Sequence, residues 1–279
     1  MANLIKTGLS IITFSTLLLS ATTSAQDNGR PFRIVIGGST NSFDSSIQVN
    51  ADDTRLSGAI DLEDDLGYDS NLGFGYAKMD YQINPDHKIA LTLAPYKRDS
   101  TLIINRDIQY QDDTILAGAT VSSTATSYIY DIEYGYLVSS DPSYDLYLLA
   151  GIYWIDTKFE INVTGDIEIA GGQQSFEADY ERKNSADIPL PLFGFSYVNY
   201  FHRNWQFTGS IRYFKSHIEH VDGEVTTAFS SIEYQPSDRW GVGGALYYFD
   251  TDVVLGKDTY NGKLNWQYSG ANLYVFFEF

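Results

Sequence analysis

Two stretches hold most of the side chains that could do chemistry. Ile60-Asp61-Leu62-Glu63-Asp64-Asp65-Leu66-Gly67-Tyr68-Asp69 places five carboxylates (Asp61, Glu63, Asp64, Asp65 and Asp69) in nine positions. Hard oxygen ligands at that density could bind a divalent cation such as Ca²⁺. The spacing departs from an EF-hand loop, because Leu62 and Leu66 interrupt it. The competing reading is a solvated acidic loop, with Ile60, Leu62 and Leu66 packing it back onto the structure that carries it. The second stretch is Ser216-His217-Ile218-Glu219-His220-Val221-Asp222. A serine–histidine–acid set could be drawn from it. On a strand, however, neighbours alternate faces, so Ser216 and His217 should point apart. No cysteine is present, which excludes a thiol nucleophile, a disulfide and a lipid-anchored cysteine. The sequence calls for no cofactor.

The elements that position these groups are strands. Aromatic residues make up 15% of the chain, glycine is plentiful, and proline is scarce. That is strand and turn chemistry. Acidic residues number 36 against 18 basic ones, which argues against nucleic acid as a partner. Residues 1–25 read as a secretory signal peptide: Lys6, then the apolar Leu9 to Leu19, then Thr23-Ser24-Ala25 as the cleavage site. Eleven apolar residues are too few to span ~30 Å of hydrocarbon. No later run is long and apolar enough for a spanning helix, so a membrane location requires a closed barrel.

After residue 25 the chain reads as one domain of alternating segments. Short polar breaks fall at 84–87, 140–143, 202–204 and 235–239. Longer breaks, rich in Asp, Glu, Gly and Asn, fall at roughly 43–67, 105–117, 164–186, 217–224 and 252–262. Short and long breaks alternate, the pattern of tight turns on one rim and long loops on the other. The count predicts ten strands, at about 32–42, 68–83, 88–104, 118–138, 145–163, 187–201, 205–216, 225–234, 240–251 and 263–279, with eight or twelve as alternatives.

Phase separates an oily face from a polar one. Tyr128, Tyr130, Ile132, Tyr134, Tyr136 and Val138 oppose Ser127, Asp131, Glu133 and Gly135. Ile89, Leu91 and Leu93 oppose Ala90, Thr92 and Ala94. Lys78, Asp80, Asp131, Glu133, Arg212, Glu233 and Glu278 then face a lumen, since a charge on lipid at mid-depth would cost roughly 2–4 kcal/mol. Arg212 is expected to pair with one or more of Asp131, Glu133 and Glu233 in a structural network. Trp205, Trp240, Tyr144 and Tyr147 sit at strand starts beside the short turns, as an interfacial girdle would.

The final stretch, Asn272-Leu273-Tyr274-Val275-Phe276-Phe277-Glu278-Phe279, alternates and ends on phenylalanine. In this the chain resembles the Gram-negative outer-membrane β-barrel proteins, whose last strand ends in an aromatic residue. The resemblance implies an all-β, transmembrane, antiparallel up-and-down barrel in the outer membrane of a Gram-negative bacterium. It also implies an assembly signal at Tyr274, Phe277 and Phe279, read by the barrel-assembly machinery. Partners implied are outer-membrane lipid and lipopolysaccharide, with a small solute or ion if the lumen is open. Enzymes exist on this architecture. The lipid A deacylases and phospholipases carry a His-x-Ser pair, but here the four histidines are followed at that spacing by Ile89, Asn204, Glu219 and Asp222. The ten-stranded omptin proteases need an Asp-Asp and an Asp-x-His pair. Asp-Asp occurs at Asp52-Asp53, Asp64-Asp65 and Asp112-Asp113, and Asp-x-His nowhere. The expectation is a non-enzymatic barrel, either a small pore or a structural and surface-interaction protein with acidic outer loops. A hydrolase acting on lipid or peptide at the outer leaflet is the alternative.

Overall fold

The computed structural model describes residues 30–50, 59–110, 113–169, 172–218, 221–257 and 260–279. The expected signal peptide lies outside them. The strands run β1 (Phe32–Asn50), β2 (Ile60–Asp61), β3 (Asn71–Asn84), β4 (His87–Ile103), β5 (Ile108–Tyr110), β6 (Asp113–Ile115), β7 (Thr120–Asp141), β8 (Tyr144–Ile169), β9 (Gly172–His202), β10 (Trp205–Ile218), β11 (Val221–Ser237), β12 (Trp240–Lys257) and β13 (Tyr260–Glu278). The ten long strands pair antiparallel with their chain neighbours, and β1 closes on β13 from Arg33↔Glu278 to Asn50↔Asn261. β8 pairs with both β7 and β9, so the ring closes around its short-turn half. This is a closed, ten-stranded, up-and-down barrel.

The strands outrun their expected limits. β1 continues to Asn50, β8 to Ile169, and β9 begins at Gly172, inside stretches that read as loops. The outward apolar face gives way to polar residues such as Asp156, Lys158 and Glu160 where lipid would end, so the expected strands stop short. The ladder itself continues, because each backbone N–H and C=O still needs a partner. The stretch 105–117 holds the short β5–β6 hairpin, whose second strand adds to the top of β8 at Asp113↔Ile169.

The outer face carries a belt of exposed apolar side chains, among them Ile89, Leu91, Leu93, Ile132, Leu148, Ile152, Phe195, Leu246 and Leu273. Leu273 is 76% exposed, and a contiguous belt of such side chains is costly in water and ordinary in hydrocarbon. Tyr136, Tyr200, Trp205, Trp240 and Phe277 ring the belt near the short turns.

The wall is continuous only in its lower half. The β3–β4 ladder ends at Ala77↔Leu93, and the β9–β10 ladder ends at Phe193↔Tyr213. Two positions beyond each last rung stands a proline, Pro95 on β4 and Pro191 on β9. Proline has no N–H to give a neighbouring strand. Above these points the wall divides into two curved sheets. One is β4, β7, β8 and β9 with the β5–β6 hairpin; the other is β10 to β13, β1 and β3 with β2.

Candidate functional site

The inward side chains form three layers, beginning at the short-turn end with ionisable groups. Arg212 on β10 reaches across to β7 and grips Asp131 with two parallel hydrogen bonds, Nη1 to Oδ1 at 2.9 Å and Nη2 to Oδ2 at 2.7 Å. Its Nη1 lies 3.0 Å from Glu133 Oε2, and its Nε–H is donated to Thr227 Oγ1 at 3.3 Å. The guanidinium is buried, with 5% of its surface exposed. Glu233, one of the three acids named as possible partners of Arg212, lies apart from this group. The β10–β11 register sets Gln206 opposite Glu233 and Arg212 opposite Thr227, six positions apart along β11. At ~3.3 Å per residue that is about 20 Å, beyond the reach of both side chains. Glu233 instead accepts from Arg33, Gln206 and Tyr274, the last at 2.7 Å. Arg33 was missing from the expected network, although its phase, opposite the exposed Ile34, marks it as inward.

Lys78 bridges to Asp80 at 2.8 Å. Lys88 lays its stem across Gly135, where a Cβ would come within 2.7 Å of it, and sets its ammonium 3.7 Å from the centre of the Tyr147 ring. Glu278 accepts from Gln235 at 3.1 Å. Of the expected assembly signal, Phe277 and Phe279 are exposed on the apolar belt, while Tyr274 is buried in the lumen.

The second layer is aromatic. Tyr153 on β8 and Tyr268 on β13 share a hydroxyl–hydroxyl hydrogen bond from opposite walls, five strand steps apart around the ring of ten. Phe249 stacks on both, with ring centres at 4.7 and 5.1 Å. Phe43 stacks on Tyr268 at 5.3 Å and meets Tyr96 at 5.6 Å, and Phe74 stacks on Tyr96 at 5.1 Å. The rings make a septum across the lumen.

The third layer is the acidic stretch, folded into the mouth. Ile60, Leu62, Leu66 and Tyr68 are buried against Ile104, Ile115, Val121, Ile161, Val163 and Ile167. Gly67, at φ +69°, makes the turn that returns the chain to β3. The structure brings Asp61 and Glu63 together with Asp44, their carboxylate oxygens within 4.8 Å of one another. Glu63 is also held by Arg98, a buried cation. Asp65 accepts the Asp61 N–H at 2.9 Å and pairs with Arg106. Asp69 accepts the Asn71 N–H at 2.9 Å, and Asp64 is exposed. The five expected ligands therefore do not converge. Burial, helped by the charges of Glu63 and Asp64, pushes the Asp61 carboxyl above its ordinary range. Burial would raise Asp65 too, but hydrogen bonds from Arg106 and the Asp61 N–H outweigh it and hold that carboxyl low.

The histidine stretch lies at the outer end of β10 and β11, where His217 and Asp222 are rung partners and Ser216 pairs with Gly223. Glu219 and His220 lie outside the described residues, as do Asp52, Asp53 and Asp112. His87 bonds to Tyr134 beside a short turn, far along the strand from the mouth.

No protein-family model matches the chain, and no curated protein matches it in sequence. Solved structures do. The outer membrane protease OmpT from Escherichia coli superposes with a TM-score of 0.57 at 12% identity, over 89% of this chain and 97% of that one. This is an outer-membrane β-barrel fold. Weaker likenesses are to the outer membrane protein OprG from Pseudomonas aeruginosa (TM-score 0.34, 12% identity, 90% and 97% covered) and the Pseudomonas putida toluene transporter TodX (0.34, 8%, 89% and 90%). At these identities the likeness concerns the fold alone.

Proposed function

We propose that the chain is a non-catalytic protein of the Gram-negative outer membrane that works at its outer surface rather than through its lumen. The observation that carries this reading is the aromatic septum. Hydrated solutes and ions need a continuous polar path, and the rings of Tyr153, Phe249, Tyr268, Phe43 and Tyr96 interrupt it. Below the septum Arg212 ties β10 to Asp131 and Glu133 of β7 as internal bracing. The belt and girdle suit outer-membrane lipid, and the acidic outer face suits lipopolysaccharide linked through shared divalent cations. Insertion by the barrel-assembly machinery is part of the same reading.

Two measurements test it. In fractionated cells, the protein should be found in the outer membrane and run differently on gels before and after boiling. In planar bilayers the wild type should be silent, and Tyr153→Ala with Tyr268→Ala should introduce conductance. Steady wild-type conductance would restore the pore.

The second reading is a hydrolase at the outer leaflet, favoured by the fold shared with OmpT, a protease by its description. Hydrolysis of lipid or peptide by the purified barrel, lost in His217→Ala, would establish it.

A further inference from the structure

In the mouth the barrel wall cradles the carboxylate of Glu63. Glu63 Oε2 accepts the Ser45 backbone N–H at 2.8 Å; Oε1 accepts the Ser45 hydroxyl at 2.8 Å and an N–H of Arg98. Arg98 donates further to Ser45 Oγ and to the Asp69 carbonyl, each at 3.1 Å. Its guanidinium carbon lies 4.8 Å from the centre of the Phe43 ring and 5.0 Å from that of Tyr68. Phe43 and Ser45 belong to β1 and Arg98 to β4, so the barrel wall supplies the donors and the loop supplies the anion.

The cradle has capacity that Glu63 does not use. Arg98 Nε–H has no partner among the described residues. The Tyr68 hydroxyl faces that of Ser123, and neither has another partner there. All three side chains are more than nine-tenths buried. Buried donors in native proteins are as a rule filled.

We propose that this is a binding site for carboxylate groups of acidic solutes or peptides outside the cell, with Glu63 as its resident internal ligand. The proposal deepens the surface-interaction reading and rests on it. Exchange is one for one: a buried Arg98 without an anion would be strongly unfavourable, so Glu63 leaves only as another carboxylate arrives. Asp44 and Asp61, beside Glu63, repel a second anion and hold the site to one carboxylate at a time.

Glu63→Ala, made in the full-length folded barrel, empties the anion position. Sodium acetate is titrated against sodium chloride at equal ionic strength, and the heat-induced gel shift is followed. Acetate should raise the midpoint by about 3 °C or more over chloride. Glu63→Gln, a gentler variant should the first not fold, should respond in the same direction. Glu63→Ala combined with Arg98→Leu should not respond. Equal effects of the two salts on the single variants overturn the site. In the wild type, acetate should speed hydrogen exchange at the Leu62 and Tyr68 amides several-fold over chloride. Those amides are bonded to the Ser45 and Leu62 carbonyls at 2.9 and 3.0 Å while the loop is docked. Unchanged exchange overturns displacement of Glu63. These readouts need only a folded barrel, so their failure leaves the surface reading standing. Wild-type conductance would sink that reading and leave an acetate effect intact.

Discussion

Arg212 and Arg98 are buried to nearly the same degree, and each holds a carboxylate. Their settings differ. Arg212 and its partners stand on long strands inside the unbroken half of the wall, where the ladder fixes every distance. Arg98 stands above the point where β3 and β4 part, and its partner is on a loop that folds in from outside. The first ion pair is locked by main-chain register. The second is held by a two-residue ladder of β2 on β1 and by side-chain packing, a lighter tether that allows exchange. Burial alone does not separate a brace from a receptor; what the partner is attached to does.

The largest test of this contrast is Arg212→Leu. It leaves the part-buried Asp131 without its bidentate partner and Glu133 with only the more distant Lys78 and Lys88, and should cost about 3 kcal/mol. The readout is the urea midpoint in detergent micelles. Arg98→Leu should cost less, about 2 kcal/mol, because the freed Glu63 can swing into water. Its effect should be confined to loop amides in hydrogen exchange, with the belt amides unchanged. A global loss equal to that of Arg212→Leu would erase the distinction. Tyr153→Phe should cost about 1 kcal/mol by removing one hydrogen bond from the septum, while conductance stays silent. Smallest is the Asp65–Arg106 pair at the rim, worth less than about 1 kcal/mol in solvent. Asp65 is held below its ordinary range, so its contribution is present above pH ~4 and is lost as the pH falls through the lowered value. Asp61 is shifted the other way, so its ionisation disfavours the docked loop as the pH rises. Asp65→Asn should remove the acid-labile component of loop exchange, and Asp61→Asn should remove the opposing one.

Much of the barrel was legible in the sequence. Alternation at Tyr128–Val138 and Ile89–Leu93 depends on two faces meeting unlike surroundings, and that contrast is written along both strands. The short turns were legible for the same reason, as polar interruptions. Strand ends above the belt were not, because there the outward face turns polar while the ladder runs on to Asn50 and Ile169 and from Gly172, its apolar side chains such as Ile161, Val163 and Ile167 turned inward. Asp131, Glu133 and Arg212 could be grouped by phase. Excluding Glu233 needed the register between β10 and β11, which no single strand encodes. The partnership of Glu63 with Arg98 was hidden more deeply. The apolar Leu62 and Leu66 signalled that the acidic stretch would pack inward, but which cation it would meet depends on a return path through three dimensions.

The divided wall has a mechanical consequence. Below Leu93 and Phe193 the hydrogen bonds form a complete hoop, whose circumference is fixed and whose resistance to spreading is shared around the ring. Above Pro95 and Pro191 the hoop is cut on both sides, and the barrel becomes a pair of jaws on a rigid collar. The gape of those jaws is set by what is wedged between them: Phe74 against Tyr96, and the loop from Ile60 to Tyr68.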